Sequence, residues 1–360
     1  MIDYDKFADL LIEYSLEVKE KENILVNSEI TALPLIEKIY EKILSKNAYP
    51  IINFSPSFDE IFFKYASDEQ LINPTIFEKF QAENIDKRLT IRSSLNPKRL
   101  SNIEPEKIQK RLKATKLLTS YMYKKRWSLT LFPTIGYAIE AEMSLNDFNS
   151  FFSKALFLNC DNPINSWNEL HDKQQKIINL IGNKKNIHIK SKNVDLKFNV
   201  ENRKWINSDG KTNMPSGEIY TSPHVKSFNG FYKSSFPSTK YGKEIDGIYL
   251  EFKDGKLIKA NAKKNEKYFL KLLETDEGSK QIGEFGIGLN YNIQKSIKNI
   301  LFDEKIGGTV HIALGNSYPN AGGKNKSAIH LDIITDLRND GEIYFDNELL
   351  YKNGKFLIEM

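Results

Sequence analysis

The pattern of hydrophobic and polar positions differs between the two halves of the chain. In the first half, short apolar runs predict strands, and the segments between them repeat apolar residues at helical spacing. The predicted strands are Asn23–Asn27, Tyr49–Phe54, Arg88–Arg92 and Ser128–Phe132, and the predicted helices are Leu33–Leu44, Phe58–Leu71 and a segment near Lys107. Strands that alternate with helices form parallel βαβ units. Residues 1–182 therefore predict an open α/β domain with a mostly parallel sheet and helices on both faces.

In the second half, from Asn186 onward, short alternating runs and turn dipeptides predominate. Asp254-Gly255 lies between two such runs and predicts a hairpin. Helical spacing is limited to Glu266–Leu273 and a short piece near Tyr291–Leu301, while Ser144–Ile181 is interpreted as the helical connection between the halves. Residues 183–360 therefore predict a mainly β (α+β) domain, and the fold class is α/β overall.

Five residues with metal-binding side chains lie in glycine-marked or strand-like stretches of the second half: Glu218, Glu284, His311, His330 and Asp332. Residues i and i+2 of a strand point to one face, so His330 and Asp332 can hold the same ion. By the same alternation, His311 points away from its apolar neighbours Val310 and Ile312, which we expect to face the core.

Three carboxylates and two imidazoles are more ligands than one tetrahedral zinc ion accepts. They suit two divalent cations about 3.5–4 Å apart that share a bridging carboxylate and a bridging water. Each residue alone also has a structural explanation: His311 as a core histidine, Glu284 as a turn cap, Asp332 as the partner of a lysine. Neither an HExxH helix nor a CxxC pair occurs in the sequence.

The predicted ligands lie in blocks that occur in the order Asn213–Glu218, Gly283–Asn290, His311–Gly315 and Gly322–Asp332, and Asp303–Thr309 precedes His311. In these blocks and in their order, the chain resembles the aminopeptidase T / aminopeptidase S family of metallopeptidases. The resemblance implies that the five residues above bind two metal ions, that Glu284 bridges them, and that Tyr318 lies in the active site. With 360 residues the chain is shorter than typical members, mainly in its N-terminal half.

The activity implied by the resemblance is metal-dependent removal of N-terminal residues from peptides, through a bridging hydroxide on two divalent ions. Residues 183–360 would then be the catalytic metal-binding domain, and residues 1–182 would cover the site. A homodimer is implied as well. The alternatives are another two-metal amide hydrolase or dipeptidase, and a non-catalytic peptide- or metal-binding protein. Zn²⁺, Co²⁺, Mn²⁺ and Mg²⁺ all accept such ligands, so the metal stays open.

Composition is typical of a soluble enzyme: 40% of the residues are hydrophobic and 28% are charged. The single cysteine, Cys160, cannot form an internal disulfide and fits a reducing compartment. The N-terminus shows no signal-peptide pattern, and no apolar run is long enough to span a membrane. These features predict a cytoplasmic protein without a membrane partner.

A net charge of +5 raises the question of nucleic acid. Lysines alternate with acidic residues along the chain, which is typical of solvated helix faces. The most basic stretch, Lys107–Arg126, predicts an amphipathic helix whose apolar positions are Ile108, Leu112, Leu117 and Leu118. No nucleic-acid-binding motif accompanies the charge, so we expect no nucleic-acid partner. Phosphate-binding loops, dinucleotide fingerprints and serine-nucleophile motifs are also missing from the sequence.

Overall fold

The computed structural model describes residues 2–54 and 59–358. Contacts within the chain divide it into two compact units. The first unit extends to Trp167 and also contains Gly210–Pro215, while the second contains Asn168–Asp209 and the residues from Ser216 onward. This division falls inside a helix, Pro163–Ile181, and the first unit also contains one short strand, Asn213–Met214. The domain boundary after residue 182 stays a prediction.

A five-stranded sheet in which every neighbouring pair is parallel forms the centre of the first unit. Its strands are β1 (Asn23–Ser28), β2 (Tyr49–Phe54), β3 (Lys87–Arg92), β4 (Arg126–Leu131) and β8 (Asn213–Met214). They lie in the order β2-β1-β3-β4-β8, so that Val26 of β1 pairs with Ile52 on one side and Leu89 on the other. The predicted parallel α/β architecture is confirmed.

Helices connect the strands of the first unit, and the clearest example is amphipathic. The α-helices are α1 (Tyr4–Asp9), α2 (Leu33–Ser45), α3 (Asp59–Tyr65), α4 (Asp68–Ile72), α5 (Ile76–Asn84), α6 (Pro105–Ala114), α7 (Lys116–Tyr123), α8 (Ile135–Glu140) and α9 (Leu145–Ala155). A π-helical turn, Leu10–Ser15, extends α1, and α10 (Pro163–Ile181) runs from the first unit into the second. On α2 the buried residues recur at helical spacing: Leu35, Ile36, Ile39 and Ile43.

The predicted helix Phe58–Leu71 is two helices, α3 and α4, and its predicted first residue lies outside the described residues. Ser67 separates them because its side chain starts a new helix. Ser67 Oγ accepts from the backbone N–H of Gln70 at 3.2 Å, and the Gln70 side chain accepts from the N–H of Ser67 at 2.9 Å. This reciprocal capping favours a helix start at Asp68 over continuation of α3.

The second unit contains two antiparallel sheets, of eight and five strands, and a two-stranded hairpin. The strands of the eight-stranded sheet are β5 (Asn186–Ser191), β6 (Val194–Asn199), β10 (Asn229–Lys233), β13 (Tyr249–Lys253), β14 (Lys256–Asn261), β18 (Glu342–Phe345), β19 (Glu348–Lys352) and β20 (Lys355–Phe356). They lie in the order β14-β13-β10-β6-β5-β18-β19-β20. The predicted hairpin at Asp254-Gly255 is confirmed, since these residues join β13 and β14.

The strands of the five-stranded sheet of the second unit are β7 (Ile206–Ser208), β9 (Glu218–Thr221), β15 (Ile282–Gly288), β16 (Thr309–Gly315) and β17 (His330–Asp336). They lie in the order β17-β16-β15-β9-β7. The hairpin consists of β11 (Ser238–Lys240) and β12 (Lys243–Ile245), and the helices are α11 (Glu266–Leu273) and α12 (Ile300–Asp303). Short 3₁₀ turns occur in both units, at Ile30–Ala32, Val225–Ser227, Glu277–Lys280 and Pro319–Ala321.

The core of the second unit joins its two large sheets. Buried side chains from both form one cluster that includes Leu196, Phe198, Phe285 and Ile312. Tyr232 of β10 connects the two sheets, since its hydroxyl lies 3.0 Å from the carbonyl oxygens of both Val310 and Ile333 and its one proton is shared between them. The predicted mainly β character of this half is confirmed.

The predicted helix near Tyr291–Leu301 is wrong for most of its length. The only helical residues there are those of α12, which begins at Ile300. A buried carboxylate holds the preceding segment in a loop: Asp303 accepts from the backbone N–H of Ile297 at 2.8 Å and from Ser296 Oγ at 2.7 Å. Such bonds compete with helical hydrogen bonding. Among the described residues, no helix has both the length and the apolar composition needed to cross a membrane.

Candidate metal centre

One face of the five-stranded sheet belongs to the core, and the opposite face carries polar side chains. Alternate residues of a strand point to opposite faces. The core face carries Ile219, Phe285, Ile287, Val310, Ile312, Leu331 and Ile333. The alternate positions carry the five predicted ligands Glu218, Glu284, His311, His330 and Asp332. The structure therefore brings all five together on four neighbouring strands, with Val310 and Ile312 in the core as predicted.

An irregularity in β15 directs Glu284 to this polar face. The register between β15 and β16 shifts between Ile282 and Glu284, which leaves Gly283 as an extra residue. Without this bulge, Ile282 and Glu284 would point to the same face. Gly283 suits the position because a Cβ there would lie 2.5 Å from the carbonyl oxygen of Gly315.

Small residues leave room for the large ligands across the strands. Gly286 pairs with His311, and a Cβ at residue 286 would lie 2.2 Å from Cε1 and 2.3 Å from Nε2 of that imidazole. Ala313 lies between Glu284 on one side and Asp332 on the other. Glycine and alanine are therefore needed at these positions for the polar side chains to converge.

Glu284, His330 and Asp332 form the first of two ligand groups, which we call group B. His330 Nε2 lies 3.0 Å from Glu284 Oε2 and 3.1 Å from Asp332 Oδ1. The other ring nitrogen, Nδ1, lies 2.9 Å from the carbonyl oxygen of Asn316, to which it donates. Such a bond fixes the orientation of the ring and leaves Nε2 available to bind a metal ion.

Glu218, Glu304 and His311 form the second group, which we call group A. His311 Nε2 lies 3.4 Å from Glu218 Oε2 and 3.6 Å from Glu284 Oε1. In each group the three ligand atoms lie within 4.8 Å of one another. Glu284 thus contacts a histidine of each group with a different oxygen, which is the geometry required of a bridging carboxylate.

The chemistry of group A fits a cation. Glu218 Oε2 and both nitrogens of His311 are buried and lack hydrogen-bond partners. Buried polar atoms are nearly always satisfied, and those without partners need an explanation. An ion bound between Glu218 Oε2 and His311 Nε2 would satisfy both atoms. Carboxylate oxygens and imidazole nitrogens are ligands that Zn²⁺, Mn²⁺ and related ions accept.

Glu304 and Lys305 are parts of this centre that sequence reasoning missed. Both follow α12 directly, and the side chain of Lys305 is completely buried. Lys305 Nζ donates to Glu218 Oε1 at 2.6 Å and also pairs with Glu304 Oε1. A signal was present in the sequence: three charged residues, Asp303, Glu304 and Lys305, lie between the apolar pair Leu301-Phe302 and Ile306.

The crowded charges shift the pKa values of the ligands in the metal-free chain. Burial alone would lower the pKa of His311, but the carboxylates of Glu284 and Glu218 raise it to about 9. For His330, burial is likewise outweighed by Asp332 and Glu284, so its pKa rises well above the usual value. Burial raises the pKa of Glu304 to about 8. Both histidines therefore carry protons that a metal would have to displace.

Tyr318 lies beside group B, at the start of the turn Pro319–Ala321. Its ring packs edge-on against the imidazole of His330, with 5.3 Å between ring centroids. Tyr220, which follows Glu218 on the same face of β9, packs against Tyr318 at 5.1 Å. The backbone N–H of Tyr318 donates to Ser222 Oγ at 3.1 Å. Burial and the charges of Glu284 and Asp332 raise the pKa of Tyr318, so its hydroxyl stays protonated.

Two packed antiparallel sheets with two groups of candidate metal ligands on one face are typical of a metal-binding protein. Comparison with known proteins shows to which family of metal-dependent proteins the chain belongs. The family model for thermophilic metalloproteases (M29) matches residues 2–356. The chain therefore belongs to this family, which confirms the predicted family and the predicted enzyme class, a metallopeptidase hydrolase.

Curated relatives match along nearly the whole chain. Aminopeptidase 2 of Geobacillus stearothermophilus is 25% identical over 413 residues, covering 99% of this chain and 98% of the relative. Aminopeptidase T of Thermus thermophilus is 24% identical, covering 97% and 95%. The solved structure of wild-type AmpT from Thermus thermophilus superimposes with a TM-score of 0.86 at 22% identity and covers 99% of both chains. The structural match establishes the shared fold.

Proposed function

We propose that this chain is a metal-dependent aminopeptidase that removes N-terminal residues from peptides. One observation carries the proposal: two groups of three ligands converge on one face of a sheet, and Glu284 contacts a histidine of each. Family membership supports peptide-bond hydrolysis, and relatives named aminopeptidases support action at the N-terminus.

In this proposal Glu218, Glu304 and His311 would hold one divalent ion, His330 and Asp332 would hold the other, and Glu284 would be the carboxylate that both share. When bound, the two ions would supply a water of lowered pKa as the nucleophile and would polarise the scissile carbonyl. The chain's own task is to fix the ligands before metal binds. The hydrogen bond from His330 to Asn316 and that from Lys305 to Glu218 serve this purpose.

We assign Tyr318 the role of a hydrogen-bond donor to the carbonyl oxygen as negative charge develops on it. Its position next to His330 supports this role, and its raised pKa keeps the proton available at neutral pH. A donor aimed at a developing oxyanion contributes roughly 3 kcal/mol in other enzymes. Tyr220 also packs against the ring of Tyr318.

Selectivity for a free N-terminus is proposed because relatives of the chain are named aminopeptidases. Two divalent ions would neutralise the four carboxylates of groups A and B, Glu218, Glu284, Glu304 and Asp332. One of these ions would then bind the free α-amino group of the substrate and orient it. Peptides are therefore the proposed partners, and the metal can be any of Zn²⁺, Co²⁺, Mn²⁺ or Mg²⁺.

The test is a substrate panel with metal-free protein to which each of these ions is added separately. Aminoacyl-p-nitroanilides, dipeptides, longer peptides and simple esters are compared. The proposal expects release of p-nitroaniline and of N-terminal residues from longer peptides, restored by metal after chelation. Activity confined to dipeptides or esters would identify another two-metal hydrolase. Metal binding without turnover of any substrate would identify a binding protein.

A cytoplasmic location and a homodimer complete the proposal. The location is supported by the single cysteine, Cys160, which fits a reducing compartment. The homodimer is supported by the family resemblance. Sedimentation of the purified protein together with cell fractionation tests both, and a monomer at working concentration would remove the dimer from the account.

A further inference from the structure

A groove of the second unit, which we call the basic groove, lies between the C-terminal part of α10 and residues 202–207. Its volume is ≈ 810 Å³. Its lining contains two cations, Arg203 and Lys204, and five amide side chains, among them Asn179 and Asn202. None of the residues that line it is acidic. Cations and neutral N–H donors without a competing carboxylate form an environment that suits an anion.

The charge of Arg203 has no acidic partner in the described parts of the chain. Its Nη2 donates to Nδ1 of His224 at 3.1 Å, and its Nε is buried without a hydrogen-bond partner. The imidazole accepts at Nδ1 and donates from Nε2 to the carbonyl oxygen of Glu201 at 2.8 Å, so it adds no charge. Burial lowers the pKa of Arg203, and no acidic group opposes this shift. Because a guanidinium removed from water without an anion is costly, a bound anion would stabilise the groove.

The structure holds this cation next to the turn that follows Tyr318. The carbonyl oxygen of Lys204 accepts from Thr221 Oγ1 at 3.0 Å, which ties the segment to the end of β9. The side chain of Arg203 packs against Gly322, where an added Cβ would lie 3.3 Å from both Cδ and Nη1 of the arginine. The guanidinium therefore lies beside the segment that begins with Tyr318, the proposed hydrogen-bond donor.

The basic groove also adjoins the strand that carries a metal ligand. Ile206, which lines the groove, pairs with Tyr220 of β9, and Tyr220 packs against Tyr318. Glu218 lies two residues before Tyr220 on the same face of that strand. Neighbouring strands lie about 4.8 Å apart, and an extended peptide rises about 3.3 Å per residue. A peptide whose first carbonyl lies at the metal centre would therefore reach the groove within a few residues on the C-terminal side of the cleaved bond.

We propose that the basic groove binds a carboxylate of the peptide substrate on the C-terminal side of the cleaved bond, and that Arg203 selects for it. The proposal rests on the aminopeptidase activity proposed above. Two sources share this chemistry, the C-terminal carboxylate of a short peptide and an acidic side chain of a longer one, and a guanidinium binds either through paired N–H···O bonds. Since the contact lies away from the reacting bond, it should lower KM and leave kcat unchanged.

The first test compares peptides of three to six residues that differ only in a C-terminal carboxylate or amide, with the metal-loaded protein. At one or more lengths, KM should be about fivefold lower for the carboxylate form, at similar kcat. Arg203→Gln should remove this difference, and Arg203→Lys, which keeps the charge, should retain part of it. Arg203→Glu should reverse it through repulsion between carboxylates. A second series of amidated peptides compares Glu with Gln at each position and shows whether a side chain is the bound group.

A matched control removes one positive charge outside the basic groove. Lys197 of β6 is exposed on the other large sheet, and Lys197→Gln should leave the difference in KM unchanged. An equal loss in this variant would mean that net charge alone attracts the peptide, and the proposal would fall. Lys204→Gln changes an exposed side chain, so it provides the test if Arg203→Gln fails to fold. It should lose part of the difference.

A binding measurement separates the basic groove from the proposed activity. N-acetyl-triglycine and its C-terminal amide are titrated by calorimetry into metal-free protein, because a metal ion would itself bind a carboxylate. The acid should bind about fivefold more tightly, and Arg203→Gln should abolish this preference. Equal binding of both forms, or a preference that Arg203→Gln retains, would overturn the proposal. Peptide hydrolysis without any carboxylate preference would refute only the groove, and a carboxylate preference in binding without hydrolysis would refute only the peptidase.

Discussion

The two faces of the five-stranded sheet are formed by the same strands but follow different rules. On the core face, each of the strands β15, β16 and β17 presents large aliphatic or aromatic side chains such as Phe285 and Ile312. On the polar face, the same strands present a histidine or a carboxylate next to a glycine or alanine, as with His311 beside Gly286. One face fills space, and the other leaves space for converging ligands.

The two faces of the sheet depend on different features of the sequence. The core face follows from alternation of apolar residues, since any side chain of suitable size and hydrophobicity stabilises it. The polar face depends on particular atoms at particular distances, and on one bulge, at Gly283, that sets which residues point to it. Changes on the two faces should therefore have separable effects, on stability for one and on metal binding and turnover for the other.

The largest effect on the rate is expected from substitution of Glu284, the proposed bridging carboxylate. Glu284→Gln keeps the shape of the side chain but removes the charge that both ions need, so the rate should fall at least a thousandfold, about 4 kcal/mol in the barrier. Metal content measured by mass spectrometry should drop below two ions per chain. Normal turnover with two ions bound would show that Glu284 does not bridge. The control is Phe285→Leu, which changes the next residue, on the core face of the same strand. This variant should still bind two ions.

A core-face change should act on stability. Ile312→Ala removes buried methyl groups between the two sheets and should lower the free energy of unfolding by about 2–5 kcal/mol. Urea denaturation monitored by tryptophan fluorescence measures this loss. His311→Ala, one residue earlier on the polar face, should lose metal in the same preparation with a smaller loss of stability when both are compared without metal. If His311→Ala proved the more destabilising of the two, the faces would not be separable.

Removal of the Tyr318 hydroxyl should lower turnover without changing metal binding. Tyr318→Phe keeps the ring that packs against His330 but removes the donor, so kcat should fall about a hundredfold, near 2.7 kcal/mol. KM and metal content should change little. Tyr220→Phe is the matched control, since it removes a neighbouring hydroxyl from the same cluster. A Tyr318→Phe enzyme within twofold of the normal kcat would make this residue a structural part of the turn.

The smallest effect is a pH dependence of stability in the metal-free protein. The pKa of His311 rises from about 6.5 in the unfolded chain to about 9, so its stabilisation is complete below pH 6.5 and is lost as pH rises through 9. Burial also raises the pKa of Glu304 to about 8, which adds a penalty as pH rises from about 4.5 to 8.

Both shifts have the same sign, so the metal-free protein should melt at a lower temperature at pH 9 than at pH 6.5. Bound metal replaces the protons, and the cobalt-loaded protein should show a smaller difference between these pH values. Thermal unfolding of both forms at both pH values measures this. Equal or greater stability of the metal-free form at pH 9 would show that the ligands do not interact as described.

The sequence predicted the regular elements better than the irregular ones. The helix Glu266–Leu273 and the hairpin at Asp254-Gly255 follow from local spacing and turn residues, and both are present. The predicted amphipathic helix at Lys107–Arg126 is instead two helices that separate at Thr115. Two of its four apolar positions are exposed, namely Leu112 and Leu117. Spacing alone did not identify which apolar residues find partners in the fold.

The ligand set shows the same limit. The five residues that the sequence predicts as ligands lie on strands, where alternation fixes the face of each residue. Glu304 and Lys305 lie after a one-turn helix, where direction depends on tertiary contacts such as those of Asn290 and Asp303. A charged pair in a loop ordinarily faces solvent, so local pattern favours a surface position. Only the fold reveals that Lys305 reaches Glu218.

The most direct measurement of the central claim compares two forms of one peptide, with a free and with an acetylated N-terminus, by mass spectrometry. The metal-free protein should leave both intact. After addition of a divalent ion, the account predicts successive loss of N-terminal residues from the free peptide and none from the acetylated peptide. Cleavage of the acetylated peptide, cleavage at internal bonds, or undiminished activity after complete removal of metal would contradict a metal-dependent aminopeptidase.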